Sequence, residues 1–254
     1  MFSFKAVYVI VLREFKRFFR QRGRLVVTIA RPLLWLMIVG SGFATIITVP
    51  GDLDYRQFIL PGIVGMTILF SSIFSTITVV WDREFGFLRE MLVAPISRST
   101  IVAGKLLGGT ALSLFQGVVL IAFAPLFGLS VGLVQYAWMF FLMAIVSLSI
   151  TALGLFIASF LKSLEGFNVI MNFVVLPMFF LSGALYPVKA LPASLRRLTL
   201  LNPLSYGVDS FKHVLLGGGS AMVAEFPFAL DILGLILFSV VMIVLASYSF
   251  GRRE

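Results

Sequence analysis

Long apolar runs, separated by short polar segments, dominate the hydrophobic pattern of this chain. A helix needs about 20 apolar residues, at roughly 1.5 Å rise each, to cross a hydrocarbon core about 30 Å thick. Six runs reach that length, at residues 26–49, 58–81, 101–128, 134–161, 167–186 and 229–250. The pattern predicts an all-α membrane protein with six transmembrane helices.

Composition and charge agree with a bilayer as the solvent of the chain. Of its 254 residues, 60% are hydrophobic and 12% are charged, with a mean hydropathy of +1.07. In a six-span arrangement, fourteen of the 20 Lys and Arg residues fall on the side that holds both termini, and five fall on the other side. Basic residues concentrate on the cytoplasmic side of membrane proteins, so we predict that both termini are cytoplasmic. The net charge of +9 therefore indicates orientation, and nucleic acid is not expected as a partner.

The first 25 residues form a separate unit in the predicted organisation, ahead of a membrane domain at residues 26–254. Apolar residues recur there at helical period: Phe4, Val7, Tyr8, Val11, Leu12, Phe15, Phe18 and Phe19. Basic residues occupy the opposite side of the helix: Lys5, Arg13, Lys16, Arg17 and Arg20. Such an amphipathic helix lies at the membrane surface, in contact with lipids. It is either a simple anchor or a lever that touches a cytoplasmic subunit.

A charged segment at residues 82–92 lies between the second and third predicted spans. If it forms one helix, one side carries Asp82, Arg83, Gly86, Arg89 and Glu90. The opposite side is apolar and carries Phe85, Phe87, Leu88, Met91 and Leu92. Such a helix either caps the membrane surface or fills a groove on another protein.

Glu84 falls within the apolar side of that predicted helix. A carboxylate among apolar neighbours needs a partner, because an unpaired buried charge is strongly unfavourable. We predict that Glu84 pairs with a basic residue of the amino-terminal helix, such as Arg17 or Arg20, or with one on a partner protein.

Two short apolar helical patterns, at residues 193–201 and 204–216, lie between the fifth and sixth spans. The Asn202-Pro203 turn separates them. Neither pattern is long enough to cross a bilayer, so they fit a re-entrant or interfacial pair over the outer ends of the spans. Pro177, inside the fifth span, is expected to bend that helix.

Several residues within the spans have both an ordinary and a functional interpretation. Arg31, in the first span, either extends to the membrane surface or forms an ion pair. Gly104 and Gly108 have the spacing of closely packed helices. Aromatic and Met side chains of the second and fifth spans either belong to the core or line a route for an amphipathic substrate: Phe70, Phe74, Met178, Phe179 and Phe180.

The sequence predicts no catalytic residue and no metal site. Residues 128–132, "GLSVG", match a nucleophile pattern, but they fall in a predicted turn between spans rather than at a strand-to-helix elbow. His213 is the only histidine, and a single His cannot hold a metal without other ligands. Asp231 lies at the outer edge of the last span, without the chain of carriers that a proton relay needs.

The order of several motifs along the chain resembles one known family. These motifs are the basic amino-terminal helix, "YRQFILPGI", "DREFGFLREMLVAPISRSTIVAGKLLG", "LSGALYPVKALP" and "LNPLSYGVDSFKHVLLG". Over essentially its full length the chain resembles the membrane (permease) subunit of type-2 ATP-binding-cassette (ABC) exporters.

This resemblance implies roles for the polar segments. Residues 82–92 would be the coupling helix that docks on an ATPase, residues 1–25 a connecting helix, and the outer pair re-entrant helices. The residues implied in coupling are Asp82, Arg83, Glu84, Phe85, Leu88, Arg89, Glu90 and Leu92; the connecting helix would use Arg13, Lys16, Arg17 and Arg20.

The resemblance also implies partners. The permease would pair with a second copy of itself and with two copies of a separate ATPase, in the inner (plasma) membrane. A phosphate-binding loop of the G-x-x-x-x-G-K-[ST] kind is missing, and Gly104-Lys105 within an apolar helix is the nearest approach to it. ATP and Mg²⁺ are therefore expected on the partner subunit, with no cofactor on this chain.

The function predicted from residues and resemblance is ATP-driven export by alternating access. The substrate would be amphipathic: lipid-like, drug-like or a lipid-linked glycan. A passive channel or an assembly scaffold is the alternative. An intramembrane enzyme is disfavoured because the spans offer no convergent polar groups.

Overall fold

The computed structural model describes residues 2–44, 54–93, 95–217 and 223–253. Within those ranges it leaves undescribed the side chains of Arg24, Leu25, Thr28, Ile29, Leu88, Arg89, Leu92 and residues 251–253. The described chain is helical, with two short 3₁₀ turns at Ala124–Phe127 and Val188–Ala190. The α-helices are α1 (Phe4–Arg20), α2 (Arg22–Phe43), α3 (Tyr55–Glu84), α4 (Phe87–Val93), α5 (Arg98–Ile121), α6 (Leu133–Ala158), α7 (Leu164–Phe180), α8 (Ala193–Thr199), α9 (Pro203–Leu215) and α10 (Phe228–Arg253).

Four of the described helices are long and apolar enough to cross a membrane: α3, α5, α6 and α10. The apolar stretches of α2 and α7, Ala30–Phe43 and Leu164–Phe180, are shorter than that. The all-helical membrane architecture is therefore confirmed. By length and composition, four helices qualify as spans within the described residues, whereas six spans were predicted.

Helix α3 is the centre of the bundle. It packs against α2, α5, α6, α7 and α9, and its apolar residues are buried over most of its length. Helix α10 covers the other side of α6 and α9. A helix that is apolar all round and buried all round belongs at the middle of a bundle.

Helix α7 and the turn after it run alongside α3 from one end to the other. At one end the Leu164 N–H donates to Glu84 Oε2 at 3.3 Å. At the other end the Tyr55 hydroxyl donates to the Leu185 carbonyl at 3.1 Å. We call the end of the bundle that holds Glu84, α1 and α4 the α1 end. The opposite end, which holds Tyr55, α8 and α9, is the α9 end.

Helix α2 also follows α3 between these ends. Near the middle, the Arg31 guanidinium lies 4.7 Å from the centre of the Phe70 ring. At the α9 end, the rings of Phe43 and Tyr55 are 6.2 Å apart. Although its apolar stretch is short, α2 thus extends along much of α3.

The predicted single helix over residues 82–92 is wrong. Helix α3 continues as far as Glu84, Gly86 has a φ of +81°, and α4 begins at Phe87. A positive φ is accessible to glycine at no steric cost and ends the helical path there. Residues 82–92 therefore do not form a single helix with one charged side and one apolar side.

Two short helices, α8 and α9, are present where the pair after the fifth span was predicted. Asn202 begins α9 as its N-cap, with its side-chain oxygen accepting from the Leu204 N–H at 3.0 Å. Pro177 lies in the last turn of α7, which ends at Phe180, six residues short of the predicted end of the fifth span. Pro177 is therefore placed where the helix finishes rather than in its middle.

Hydroxyl groups join the spans to one another inside the bundle. Ser72 of α3 donates to Ser113 Oγ of α5 at 3.0 Å, and Ser147 of α6 donates to the Thr110 carbonyl at 3.0 Å. Small residues and interhelical hydroxyl bonds of this kind let membrane helices approach closely.

Candidate functional site

Helix α1 is seated on α5 at two glycines. A Cβ atom added at Gly104 would lie 2.8 Å from Ile10 Cβ, and one added at Gly108 would lie 3.3 Å from Glu14 Cγ. The close-packing role predicted for these glycines is therefore confirmed, with α1 as the partner. The buried side of α1 consists of Val7, Ile10, Glu14 and Phe18.

The buried side of α1 differs from the predicted apolar side. Phe4, Tyr8, Leu12 and Phe19 are exposed on the described chain, whereas Glu14 is buried at helical spacing from Ile10 and Phe18. One apolar side of α1 thus faces α5, and a second one remains free to face lipid.

A buried charge cluster lies directly beneath α1. The Lys105 ammonium of α5 donates to Glu14 Oε1 at 2.7 Å, to Asp82 Oδ2 at 2.5 Å and to Thr78 Oγ1 at 3.2 Å. Lys105, Glu14 and Asp82 are each 4–5% exposed. Each carboxylate contacts the Lys105 ammonium, and pairing of this kind is the condition under which buried ions are tolerated. The cluster joins α1, α3 and α5 at one point.

Arg13 extends this cluster to the surface of the bundle. Its guanidinium donates to the second Asp82 oxygen, Oδ1, at 3.0 Å. It also lies 3.9 Å from the centre of the Phe87 ring of α4, within the range of a cation–π contact. Because Met91 and Ile10 share a small apolar cluster, α1 contacts α4 through both polar and apolar groups.

The last three residues of α3 contact four different helices. Asp82 bonds to α1 and α5, as described above. Arg83 Nη1 donates to the Ala158 carbonyl at 3.2 Å, at the end of α6, and Glu84 accepts from Leu164 at the start of α7. A displacement of this helix end would therefore be felt by four neighbouring helices.

Glu84 does not form the predicted ion pair with Arg17 or Arg20 among the described residues, where its partner is the Leu164 N–H. The reason is the break at Gly86, which leaves Glu84 at the exposed end of α3 and not within an apolar helix side. The pairing of Glu84 with a basic residue of a partner protein stays a prediction. The Arg17 guanidinium instead lies 5.4 Å from the centre of the Trp81 ring.

The remaining residues predicted for coupling lie at the surface of the α1 end. Phe85 is 68% exposed, and Glu90, Lys16 and Arg20 are exposed as well. The side chains of Leu88, Arg89 and Leu92 lie outside the described part of the chain. An exposed phenylalanine next to basic side chains forms a mixed apolar and charged surface at this end.

Two of the residues predicted for a substrate route line a cavity of about 480 Å³ between α2 and α3. The Phe70 and Phe74 rings stack there with their centres 6.1 Å apart, and Arg31 lies over Phe70. Among the described residues Arg31 forms no ion pair, and its guanidinium contacts the face of the Phe70 ring. Its extension to the membrane surface stays a prediction. Gln116 and Ser71 add polar groups to the cavity wall.

The other three predicted route residues are elsewhere. Phe179 is buried against Trp35 with ring centres 6.5 Å apart, the Met178 carbonyl accepts from Asn202 Nδ2 at 2.7 Å, and Phe180 is exposed. They belong to the contact of α7 with α2 and α9 and do not line the cavity.

A second group of charged residues lies at the α9 end. Burial raises the pKa of the Asp209 carboxyl, against the effect of the backbone N–H donors of Phe226 and Glu225. Burial also lowers the pKa of the Lys212 ammonium, against the attraction of nearby carboxylates. His213, predicted to be without metal-ligating companions, in fact has Asp209 and Asp231 beside it.

Comparison with known proteins identifies the class of the chain. The family model for the membrane domain of ABC-2 type transporters matches residues 5–216. The chain belongs to the ABC-2 type transporter family. It is accordingly a transport permease subunit and not an enzyme, it moves substrate across a membrane, and an associated ABC ATPase is its expected partner.

Individual relatives of this ABC-2 permease are described as permeases too. A transport permease, ycf38 of Cyanophora paradoxa, is 31% identical over 84% of this chain and 75% of its own length. The inner membrane transport permease YadH of Escherichia coli K12 is 27% identical over 85% of this chain and 83% of its own. YbhR of the same organism, described as a multidrug ABC transporter permease, is 28% identical over 66% of this chain and 46% of its own.

Sequence reasoning missed two members of the charge cluster of this ABC-2 permease, Glu14 and Lys105. A signal for each was present in the sequence. Glu14 is an acid at helical spacing from Ile10 and Phe18, and Lys105 is a lone charge within an apolar run. Neither signal names its partner, because the two residues are 91 positions apart along the chain.

Proposed function

We propose that this chain is the permease of an ATP-driven exporter in the inner membrane, working as a homodimer with two copies of an ABC ATPase. It would have six spans and cytoplasmic termini, and it would move an amphipathic substrate outward by alternating access. This proposal is supported by family membership and by the inner membrane permease YadH as a relative. It is also supported by the excess of Lys and Arg residues on the side that holds both termini.

The course of α2 and α7 supports the six-span arrangement. Helix α2 follows α3 from its middle, near Phe70, to Tyr55 at the α9 end. Helix α7 with the turn after it follows α3 from Glu84 to Tyr55. A chain segment that runs beside a membrane-spanning helix over this distance also crosses the bilayer. With six crossings, both termini and α4 lie on one side of the membrane.

The observation that carries the proposal is the buried cluster of Glu14, Asp82 and Lys105. In the proposed mechanism the ATPase docks at the α1 end, on α4 with Phe85 and on the basic side of α1. Its movement displaces α1 and the end of α3 together, because the cluster and Arg13 tie them to each other. Asp82, Arg83 and Glu84 pass this displacement on to α5, α6 and α7.

The cavity between α2 and α3 supports an amphipathic substrate. Its wall is mostly apolar and aromatic, with a few polar groups: Arg31, Ser71 and Gln116. Pockets of this composition take ligands with a large apolar part and a small polar or charged one. The description of YbhR as a multidrug permease agrees with such a substrate.

The proposal is tested by a labelling experiment that requires no knowledge of the substrate. The chain has no cysteine, so Ser71→Cys places a single thiol in the cavity wall. The permease is purified with its ATPase in nanodiscs, and the thiol is labelled with a maleimide in the presence and absence of ATP and Mg²⁺. We expect the labelling rate to change with ATP, and Arg13→Gln to remove that change.

Arg197→Gln is the matched control, because Arg197 is an exposed arginine of α8 at the α9 end, away from the cluster and from the surface where the ATPase would dock. It should leave the ATP-dependent labelling as it is in the parent protein. A labelling rate that ignores ATP in the parent protein, or one that Arg13→Gln leaves dependent on ATP, would contradict the mechanism.

A further inference from the structure

Three potential metal ligands meet at the α9 end of the bundle. Asp209 and His213 lie one turn apart on α9, and Asp231 lies near the start of α10. The His213 Nε2 atom is 3.9 Å from Asp209 Oδ2 and 3.8 Å from Asp231 Oδ2, and one ligand atom from each residue lies within 4.8 Å of the others. The Nε2–H of the same imidazole donates to the Phe226 carbonyl oxygen at 2.9 Å, and a metal ion at this nitrogen would take the place of that proton.

Asp231 is the unusual member of this group. Its side chain is fully buried, and neither of its carboxylate oxygens has a hydrogen-bond partner among the residues that the structure describes. A buried carboxylate without a hydrogen bond or a counterion is strongly unfavourable. One face of this carboxylate is directed at His213, so a ligand placed between them would supply the missing partner.

Lys212 does not supply that partner. Its ammonium lies 5.1 Å from the centre of the Phe58 ring of α3, and a Cβ at Gly183 would come within 3.5 Å of it. Within the described residues no ion pair shorter than 4.0 Å joins Lys212 to Asp209 or Asp231. The charge of Lys212 lowers the electrostatic cost of placing two carboxylates near each other. Its ammonium, however, forms no hydrogen bond to the Asp231 oxygens in the described structure.

We propose that Asp209, His213 and Asp231 bind a divalent transition-metal cation, with the Phe226 carbonyl as an additional ligand. Two donors that each lie about 2.1 Å from a metal are about 3.0 Å apart at a right angle, close to the 2.9 Å between the Phe226 carbonyl and His213 Nε2, about 3.4 Å apart at a tetrahedral angle and farther apart at wider angles. Separations of 3.8 and 3.9 Å therefore need little adjustment. One imidazole with carboxylate and carbonyl oxygens suits Zn²⁺ or Mn²⁺ better than Mg²⁺, which prefers oxygen ligands alone.

The surroundings of Asp209 are those of an oriented ligand. Asp209 Oδ2 accepts from the Phe226 N–H at 2.9 Å and from the Glu225 N–H at 3.0 Å. Hydrogen bonds to a ligating carboxylate fix its direction and are a regular feature of metal sites. The cation would thereby join α9, the segment that contains Phe226, and α10, independently of the proposed transport mechanism. His213 is 22% exposed, which leaves a route for the cation from the surface.

The proposal is tested by metal binding to the full chain in nanodiscs after removal of metals with a chelator. Mn²⁺ binding is followed by electron paramagnetic resonance, and Zn²⁺ is added as a competitor. We expect one site per chain, whose affinity falls at least about tenfold in Asp231→Asn and in His213→Ala. Thermal unfolding gives a second measurement: Zn²⁺ should raise the Tm of the parent protein and not that of Asp231→Asn.

Glu165→Gln is the control, because Glu165 is an exposed carboxylate at the α1 end. It should bind Mn²⁺ as the parent protein does. Asp231→Asn is isosteric, and a Tm without metal at or above that of the parent would show that it folds. Absence of Mn²⁺ and Zn²⁺ binding in the parent, or binding that all three variants leave equal, would overturn the proposal.

Discussion

Each charge in the cluster beneath α1 depends on its neighbours. Lys105 donates to two carboxylates and a hydroxyl, and Asp82 accepts from both Lys105 and Arg13. Transfer of such groups from water costs several kcal/mol per ion, so the network stabilises the fold only as a complete set. A buried ion network of this kind fixes which helix sides meet, even where apolar residues of equal volume would be as stable.

Removal of the central cation should therefore destabilise the protein more than removal of a surface one. Lys105→Met leaves Glu14 and Asp82 buried together without their shared cation. We expect a loss of about 3 to 5 kcal/mol in unfolding free energy, as found when one partner of a buried ion pair is removed. Denaturant or thermal unfolding in detergent measures it.

Lys162→Met is the control for that change, since Lys162 is exposed at the same end of the bundle. Its effect should stay within about 0.5 kcal/mol. Equal stabilities of the two variants would show that the cluster does not contribute as described.

The contact between Glu14 and Lys105 can be separated from the rest of the cluster by a double-mutant cycle. Glu14→Gln, Lys105→Met and the double variant should give a coupling energy of about 0.5 to 3 kcal/mol, because residues in one ion network are not additive. Additive effects of the two substitutions would contradict a direct interaction.

At the scale of helices, α1 is held by shape as well as by charge. Gly104 and Gly108 provide the space in α5 that Ile10 and Glu14 occupy. The break at Gly86 has a comparable effect, because it separates α4 from α3 and lets Phe87 turn back under Arg13. Small residues at both places let the surface segments reach the bundle.

A side chain at Gly104 should therefore displace α1. In Gly104→Val, even the Cβ atom would lie 2.8 Å from Ile10 Cβ, and overpacking of this kind costs about 1 to 3 kcal/mol. Hydrogen exchange measured by mass spectrometry should show faster exchange of the α1 amides.

Gly42→Val is suited as the control, because a Cβ at Gly42 has no neighbour within 4 Å. It should leave α1 exchange unchanged. If exchange in α1 is the same in both variants, the seat on α5 does not hold this helix.

At the scale of the whole molecule, the two ends of the bundle differ in what they present. The α1 end has basic side chains and exposed aromatic residues, whereas the α9 end has α8, α9, the buried Asp209 and Asp231, and the partly exposed His213. With six spans these ends lie on opposite sides of the membrane, so an ATPase and an outer-side ligand would approach from different compartments.

This arrangement predicts opposite accessibility for two single cysteines. Ser97→Cys, before α5, should react with a membrane-impermeant maleimide only in inverted vesicles, and Leu195→Cys, on the exposed side of α8, only in intact cells. If α7 did not cross, both positions would react from the same side. Labelling of both cysteines from one side would contradict the six-span proposal.

The sequence by itself determined the solvent, the helical class and most helix positions of this protein. The free energy of transfer of a segment from water into the bilayer depends on its apolar area. The length and composition of each apolar run therefore indicate locally whether that segment lies in the membrane. The boundary between the two short helices α8 and α9 is also a local feature, because the Asn202-Pro203 turn separates them. Motif order also indicated the family, which the comparisons confirmed.

Only the tertiary structure decided which distant residues meet. Glu14 and Lys105 are 91 positions apart, and the ligand atoms of His213 and Asp231 come together because α9 packs on α10. Helical periodicity shows which residues share a side of one helix, but not which helix that side will face. Interhelical contacts depend on the packing of the complete bundle, which is why the charge cluster and the candidate metal site were not visible in the pattern.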